Sequence, residues 1–178
     1  MGHPDAVVRL GPEIMTLGIE QINQSNDEGE TVEALGECMS VILQAVAAST
    51  LSPARKLLFA IDAHLQDEYG VMNDVHDVVL EMTFELAVWS EVADVLTQRL
   101  TAPSKEKDPY GRKYEREQIS NWLIDALRKA GRDREVLEVC EREARNGQLC
   151  AAGETAFGEE AIRRSRALGR RGHREDSQ

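Results

Sequence analysis

At 178 residues, 42% hydrophobic and 30% charged, the chain is long enough to bury a core without disulfide or metal staples, and only 4% aromatic content leans it towards helix. The net charge is −11, yet residues 161–178 hold six arginines against Glu175 and Asp176, a local +4 that leaves −15 on residues 1–160. An acidic body of that kind repels phosphate backbones and anionic lipid, which argues against nucleic acid or membrane as its partner.

Helical periodicity runs through almost the whole chain. A first helix is expected from Pro12, after Gly11, burying Ile14, Leu17 and Ile22, with "QSNDEGE" breaking it. A second, about Thr31 to Ala48, sets Val32, Leu35, Met39, Ile42 and Val46 on one stripe. The longest uncharged run, Cys38 to Ala54, contains Ser40, Gln44, Ser49, Thr50 and Ser52, and so reads as a buried helix of a soluble protein rather than a membrane span. Ser52-Pro53 supplies the next start, serine as N-cap and proline at the first helical position. Leu57, Leu58, Ile61 and Leu65 form that helix's apolar face, and Gly70 ends it.

From residue 74 to 101, Val75, Val79, Met82, Leu86, Trp89, Ala93, Leu96 and Leu100 alternate steps of four and three. That pattern would suit one unbroken helix, but its length exceeds the usual globular range, so a break is expected near Thr83 to Val88. "TAPSKEKDPYG" is a loop, and Asp108-Pro109 a second cap-plus-proline start. The helix after it, roughly 110–130, is expected to bury Ile119, Trp122, Leu123, Ala126 and Leu127 and to stop at Gly131. Its partner, 133–146, is expected to bury Val136, Leu137, Cys140 and Ala144 and to stop at Gly147. Residues 1–147 therefore read as a single helical-repeat domain, 148–168 as a weakly helical extension, and 169–178 as a disordered basic tail.

About seven helices joined by short loops imply an all-α fold, either a closed bundle or stacked antiparallel hairpins. "WLIDALRKAGRDREVLEVCEREARNG" resembles the turn region of a tetratricopeptide-type (TPR-like) repeat, with Ala126 as the small residue that lets two helices approach and glycine as the turn. It departs from that signature at Asp125 and Lys129. Over residues 30–147, "LSPARKLLFAIDAHLQDEYGVMNDVHDVV", "WSEVADVLTQRL" and "REQISNWLIDALRKAGRDREVLEVCEREA" are similar to the helical C-terminal region of bacterial SWIM-type zinc-finger proteins. The resemblance implies a right-handed stack of helix pairs that holds a partner. The zinc ligands of that family have no counterpart here, and the register lost after Gly147 departs from it.

Three cysteines, Cys38, Cys140 and Cys150, with no CxxC, point to a reducing cytoplasm, Cys38 and Cys140 serving as small core fillers. Asp5, Arg9 and Glu13 stand where a signal peptide would need an apolar block, so secretion is not expected. "DAHLQDEYGVMNDVHD" is the one cluster with metal-binding chemistry: His64 and Glu68 lie four apart on one helix face, and Asp74 and His76 follow at a helix start. The simpler reading is a solvated acidic loop in which Asp74 caps the next helix. No histidine has glutamate three positions before it, which removes a di-iron bundle, and no nucleophile, phosphate-loop or EF-hand motif occurs.

Trp89 and Trp122 are expected in the core. Tyr110 and Tyr114, beside Arg112 and Lys113, make a candidate recognition spot, with Tyr69 as a further exposed aromatic; ordinary helix-end packing is the alternative. The expectation is a non-catalytic protein- or peptide-binding module, cytoplasmic, without cofactor or metal, whose partner is basic or mixed in charge. Two alternatives stand beside it. One is a metal-dependent protein using His64, Glu68, Asp74 and His76, and the other is a self-associating subunit.

Overall fold

A computed structural model describes residues 3–24, 29–67, 69–72, 82–103 and 108–145. Among them are six α-helices and no strand: α1 Pro4–Gln24, α2 Glu30–Ala48, α3 Pro53–Gln66, α4 Leu86–Thr101, α5 Pro109–Lys129 and α6 Asp133–Arg145. They belong to two compact units, Met1–Phe84 and Glu85–Gln178. The expectations for Gly147, the extension 148–168 and the tail 169–178 lie outside the described residues.

In the first unit α1 begins at Pro4, eight residues before the expected start, and Pro12 sits inside it. Proline at that point removes one backbone donor. The helix continues upstream because Val7 and Val8 pack on the same core as Met15, Leu35, Met39, Ile42 and Val46. The apolar face is also rotated from expectation: Met15 is buried, Ile14 and Ile22 are half-buried, and Leu17 is 63% exposed. What faces α2 is glycine. A Cβ on Gly11 would stand 2.9 Å from Ile42 Cγ2 and 2.7 Å from Phe59 Cζ, and one on Gly18 would stand 2.5 Å from Leu35 Cδ1. These contacts pair the early part of α1 with the late part of α2, an antiparallel register that Asp5 also ties. Its carboxylate accepts from the Thr50 backbone N–H at 2.9 Å and from the Thr50 hydroxyl at 3.1 Å.

Along α2 four of the five residues of the expected stripe, Leu35, Met39, Ile42 and Val46, are buried, and Val32 is half-buried. Each side chain of that size contributes roughly 1.5–3 kcal/mol on full burial. Cys38 is exposed, against expectation, because it lies a third of a turn off that stripe. By length and a mean hydropathy of 1.3, α2 alone among the described helices could cross a membrane; here its apolar stripe packs against α1. Ser52 caps α3 as its sequence implies, its hydroxyl accepting from the Arg55 N–H at 3.3 Å with Pro53 in the first turn. Leu57 and Ile61 are buried, while Leu58 and Leu65 are half-buried. Beyond α3, the Asp67 carboxylate accepts from the backbone N–H groups of Tyr69, Val71 and Met72 at 3.3, 2.9 and 2.6 Å, folding the chain back so that Met72 enters the core.

The second unit starts at Glu85, the last residue of a non-helical stretch, Met82–Glu85, that overlaps the break expected near Thr83 to Val88, although Leu86–Val88 are already helical. The α4 helix buries Trp89, Val92, Ala93, Leu96 and Leu100. Asp108 caps α5, its carboxylate accepting from the Gly111 N–H at 2.7 Å, and all five expected core residues of α5 are buried, together with Ser120 and Ile124. Helices α5 and α6 form a hairpin whose turn has Gly131 at φ +71°. The Arg132 N–H donates to Leu127 O at 2.8 Å and the Gly131 N–H to Arg128 O at 3.0 Å, the paired bonds of a Schellman cap. On α6 the buried set is Val136, Val139, Cys140 and Glu143; Leu137 and Ala144, expected inside, are half-buried.

Candidate interaction surface

Two arginines hold the second unit together from opposite ends. Arg116 on α5 is clamped by Glu143 of α6, Nε to Oε2 at 2.7 Å and Nη2 to Oε1 at 2.9 Å, while its Nη1 donates to Leu100 O at the end of α4 at 3.2 Å. Glu143 is fully buried. At the other end Arg132, just past the hairpin turn, donates to both oxygens of Glu135 at 2.7 and 2.6 Å. Its Nη1 reaches Asp94 on α4 at 2.6 Å and the Ser90 hydroxyl and carbonyl at 3.1 and 3.3 Å. The hydrogen bonds with Glu135, then those with Asp94, raise the Arg132 pKa further above its ordinary range, and the hydrogen bond from Arg132 lowers that of Glu135. Neither arginine was singled out from sequence, because pairing across 27 or 38 residues leaves no trace in local periodicity.

On this frame the first turns of α5 stand clear of the core. Tyr110 is 84% exposed and Tyr114 61% exposed, four residues apart and so stacked on one helix face, with Lys113 beside them. Arg112, also exposed, is two residues from each tyrosine and falls on the other side of the helix. The fold thus joins Tyr110, Lys113 and Tyr114 and leaves Arg112 apart. Tyr69 belongs to the first unit, where its hydroxyl donates to Asn23 Oδ1, linking the turn after α3 to the end of α1.

Of the metal-type cluster, His64 lies half-buried on α3; Glu68, Asp74 and His76 lie outside the described residues. Among the described residues no group of three histidine, cysteine or carboxylate side chains comes together. The depression lined by Pro12, Glu13, Thr16 and Leu17, about 380 Å³, offers one carboxylate and a hydroxyl that already donates to Pro12 O at 3.0 Å. Trp89 and Trp122 are both core residues, 1% exposed. No protein-family model, no curated protein and no solved structure matches the chain.

Proposed function

We propose that the chain is a non-catalytic protein-binding module of helix hairpins, and that α5 meets the partner with Tyr110, Lys113 and Tyr114. The observation that carries this reading is the exposure of two tyrosines on one face of the first turns of a helix whose later turns, from Ile119 to Leu127, are anchored in the core. Tyrosine is over-represented among residues that dominate interface energetics, since a rigid ring with a polar tip buries much area and loses few rotamers. The Arg116–Glu143 clamp, which fixes α5 to α6 two residues beyond Tyr114, supports a preorganised surface, which lowers the ordering cost of association. A cationic lysine between tyrosines in a chain of net charge −11 favours a partner of mixed charge, one that meets Lys113 and tolerates the acidic surroundings. The likeness to the helical region of SWIM-type proteins would give the same mode of action, a helix-pair stack holding another protein, in the cytoplasm.

Affinity capture with the full chain tests the reading. The wild-type chain retains a specific protein, and the Tyr110→Ala/Tyr114→Ala double variant loses it by at least about tenfold, the scale of one interface anchor. Equal capture by the double variant would remove α5 as the binding face.

A further inference from the structure

We propose that the α1–α2 layer pairs with a second copy of this chain through its outer apolar face. On α1 each contact glycine is preceded by an exposed leucine: Leu10, 53% exposed, before Gly11, and Leu17, 63% exposed, before Gly18. On α2 their contact partners Ile42 and Leu35 are likewise preceded by exposed apolar residues, Val41 at 60% exposure and Ala34. In an antiparallel pair, one step back on either helix turns by about 100° towards the same side of the pair. The four residues therefore share one face. Cys38, exposed, and Ala45, half-buried, complete the α2 row, Ala34, Cys38, Val41 and Ala45 being spaced four, three and four. None of these six is charged, in a chain that is 30% charged, and the unit's own core leaves the row uncovered.

A second copy fits this face in size and relief. Two adjacent helices about 20 Å wide, over the roughly 28 Å of α2, offer about 550 Å² per chain and about 1,100 Å² per pair, which clears the roughly 1,000 Å² expected of a specific interface. The relief is self-complementary: a ridge of two leucines seven residues apart runs beside a row of small residues with the same pitch. A two-fold axis along the helices lays each ridge over the other copy's small row. Exposed Glu13 and Glu37 flank the face and set it against an anionic lipid surface.

Sedimentation equilibrium of the full chain from micromolar to hundreds of micromolar tests the proposal, with Leu17→Arg and Val41→Arg as variants and circular dichroism confirming unchanged helix content. The expected result is a reversible dimer weakened at least about tenfold by either substitution. Maleimide labelling assigned to Cys38 by a Cys38→Ser control is expected to slow as protein concentration rises. A chain monomeric throughout, or a dimer indifferent to both arginines, would overturn it. So would binding to phosphatidylglycerol vesicles that both variants abolish without any self-association, which would make the face a lipid surface.

Discussion

Glu143, fully buried, holds Arg116 with both carboxylate oxygens, and Arg116 in turn caps the end of α4 through Leu100 O. The pair is asymmetric, because the arginine side chain keeps 32% of its surface in water and the glutamate 1%. Arg116→Ala would leave a buried carboxylate whose one remaining ion pair among the described residues is the 3.3 Å contact to Arg142, and is expected to cost about 3–5 kcal/mol. Glu143→Gln keeps the shape and frees an arginine that can turn towards solvent, so about 1–3 kcal/mol is expected. Urea unfolding followed by tryptophan fluorescence reads this unit alone, since Trp89 and Trp122, the chain's two tryptophans, both lie in it. Equal costs for the two substitutions would contradict the asymmetry.

The Arg132 cluster predicts an acid-side loss of stability. Glu135 has its folded pKa lowered below the ordinary value of 4.5 by the hydrogen bond from Arg132. Its contribution is therefore complete above pH 4.5 and disappears as pH falls through the lower, folded value. With 45% of the Glu135 side chain exposed, the contribution is about 0.2–1 kcal/mol. Glu135→Gln should flatten the stability profile below pH 4.5, where the wild type loses this contribution, and leave its shape above that pH unchanged. A profile as steep as the wild type's would assign the acid sensitivity elsewhere.

Two glycines should respond to alanine for different reasons. At Gly131 an added Cβ meets nothing within 4 Å, so Gly131→Ala pays only for the left-handed backbone, about 1–2 kcal/mol. At Gly18 the backbone is helical and alanine would gain about 0.5–1 kcal/mol of propensity, but its Cβ collides with Leu35. Overpacking of about 1–3 kcal/mol outweighs that gain. Trimming the obstacle separates the causes: Leu35→Ala should remove the penalty of Gly18→Ala in a double-mutant cycle read by circular dichroism, and should leave that of Gly131→Ala intact.

The metal alternative has its own check. Asp67, close to His64 in sequence, already spends its carboxylate on three backbone N–H groups. Elemental analysis of the purified chain is expected to find no stoichiometric metal, and chelator is expected to leave the thermal midpoint unmoved. A bound metal with a chelator-induced drop would bring His64, Glu68, Asp74 and His76 back as ligands.

Local chemistry made much of this fold legible. Ser52-Pro53 and Asp108-Pro109 cap α3 and α5 as their residue types dictate, Gly131 closes the hairpin, and the core face of α5 follows from apolar spacing alone. The misreadings share one cause, that tertiary packing overrode a local signal. Gly11-Pro12 looks like a helix start, yet the glycine is there so that α2 and Phe59 can approach, and valines upstream extend the helix. Leu17 reads as a core residue because it is large and apolar, whereas the adjoining Gly18 marks the true contact line. Glu143 sits at a core position on α6, but a carboxylate reads as solvent-facing until Arg116 is seen beside it. Of the interaction surface, sequence supplied the residue types Tyr110, Lys113 and Tyr114; that Arg112 points away and that Tyr69 belongs to another unit required the fold.

Whether α5 presents a protein-binding face can be read by placing a photo-crosslinking amino acid at position 114 of the full chain inside its source cell. One dominant crosslinked protein is expected, lost when Tyr110→Ala is added and absent when the probe is moved to Glu138, an exposed position on α6. A crosslink pattern identical from both positions, or none from position 114, would contradict it.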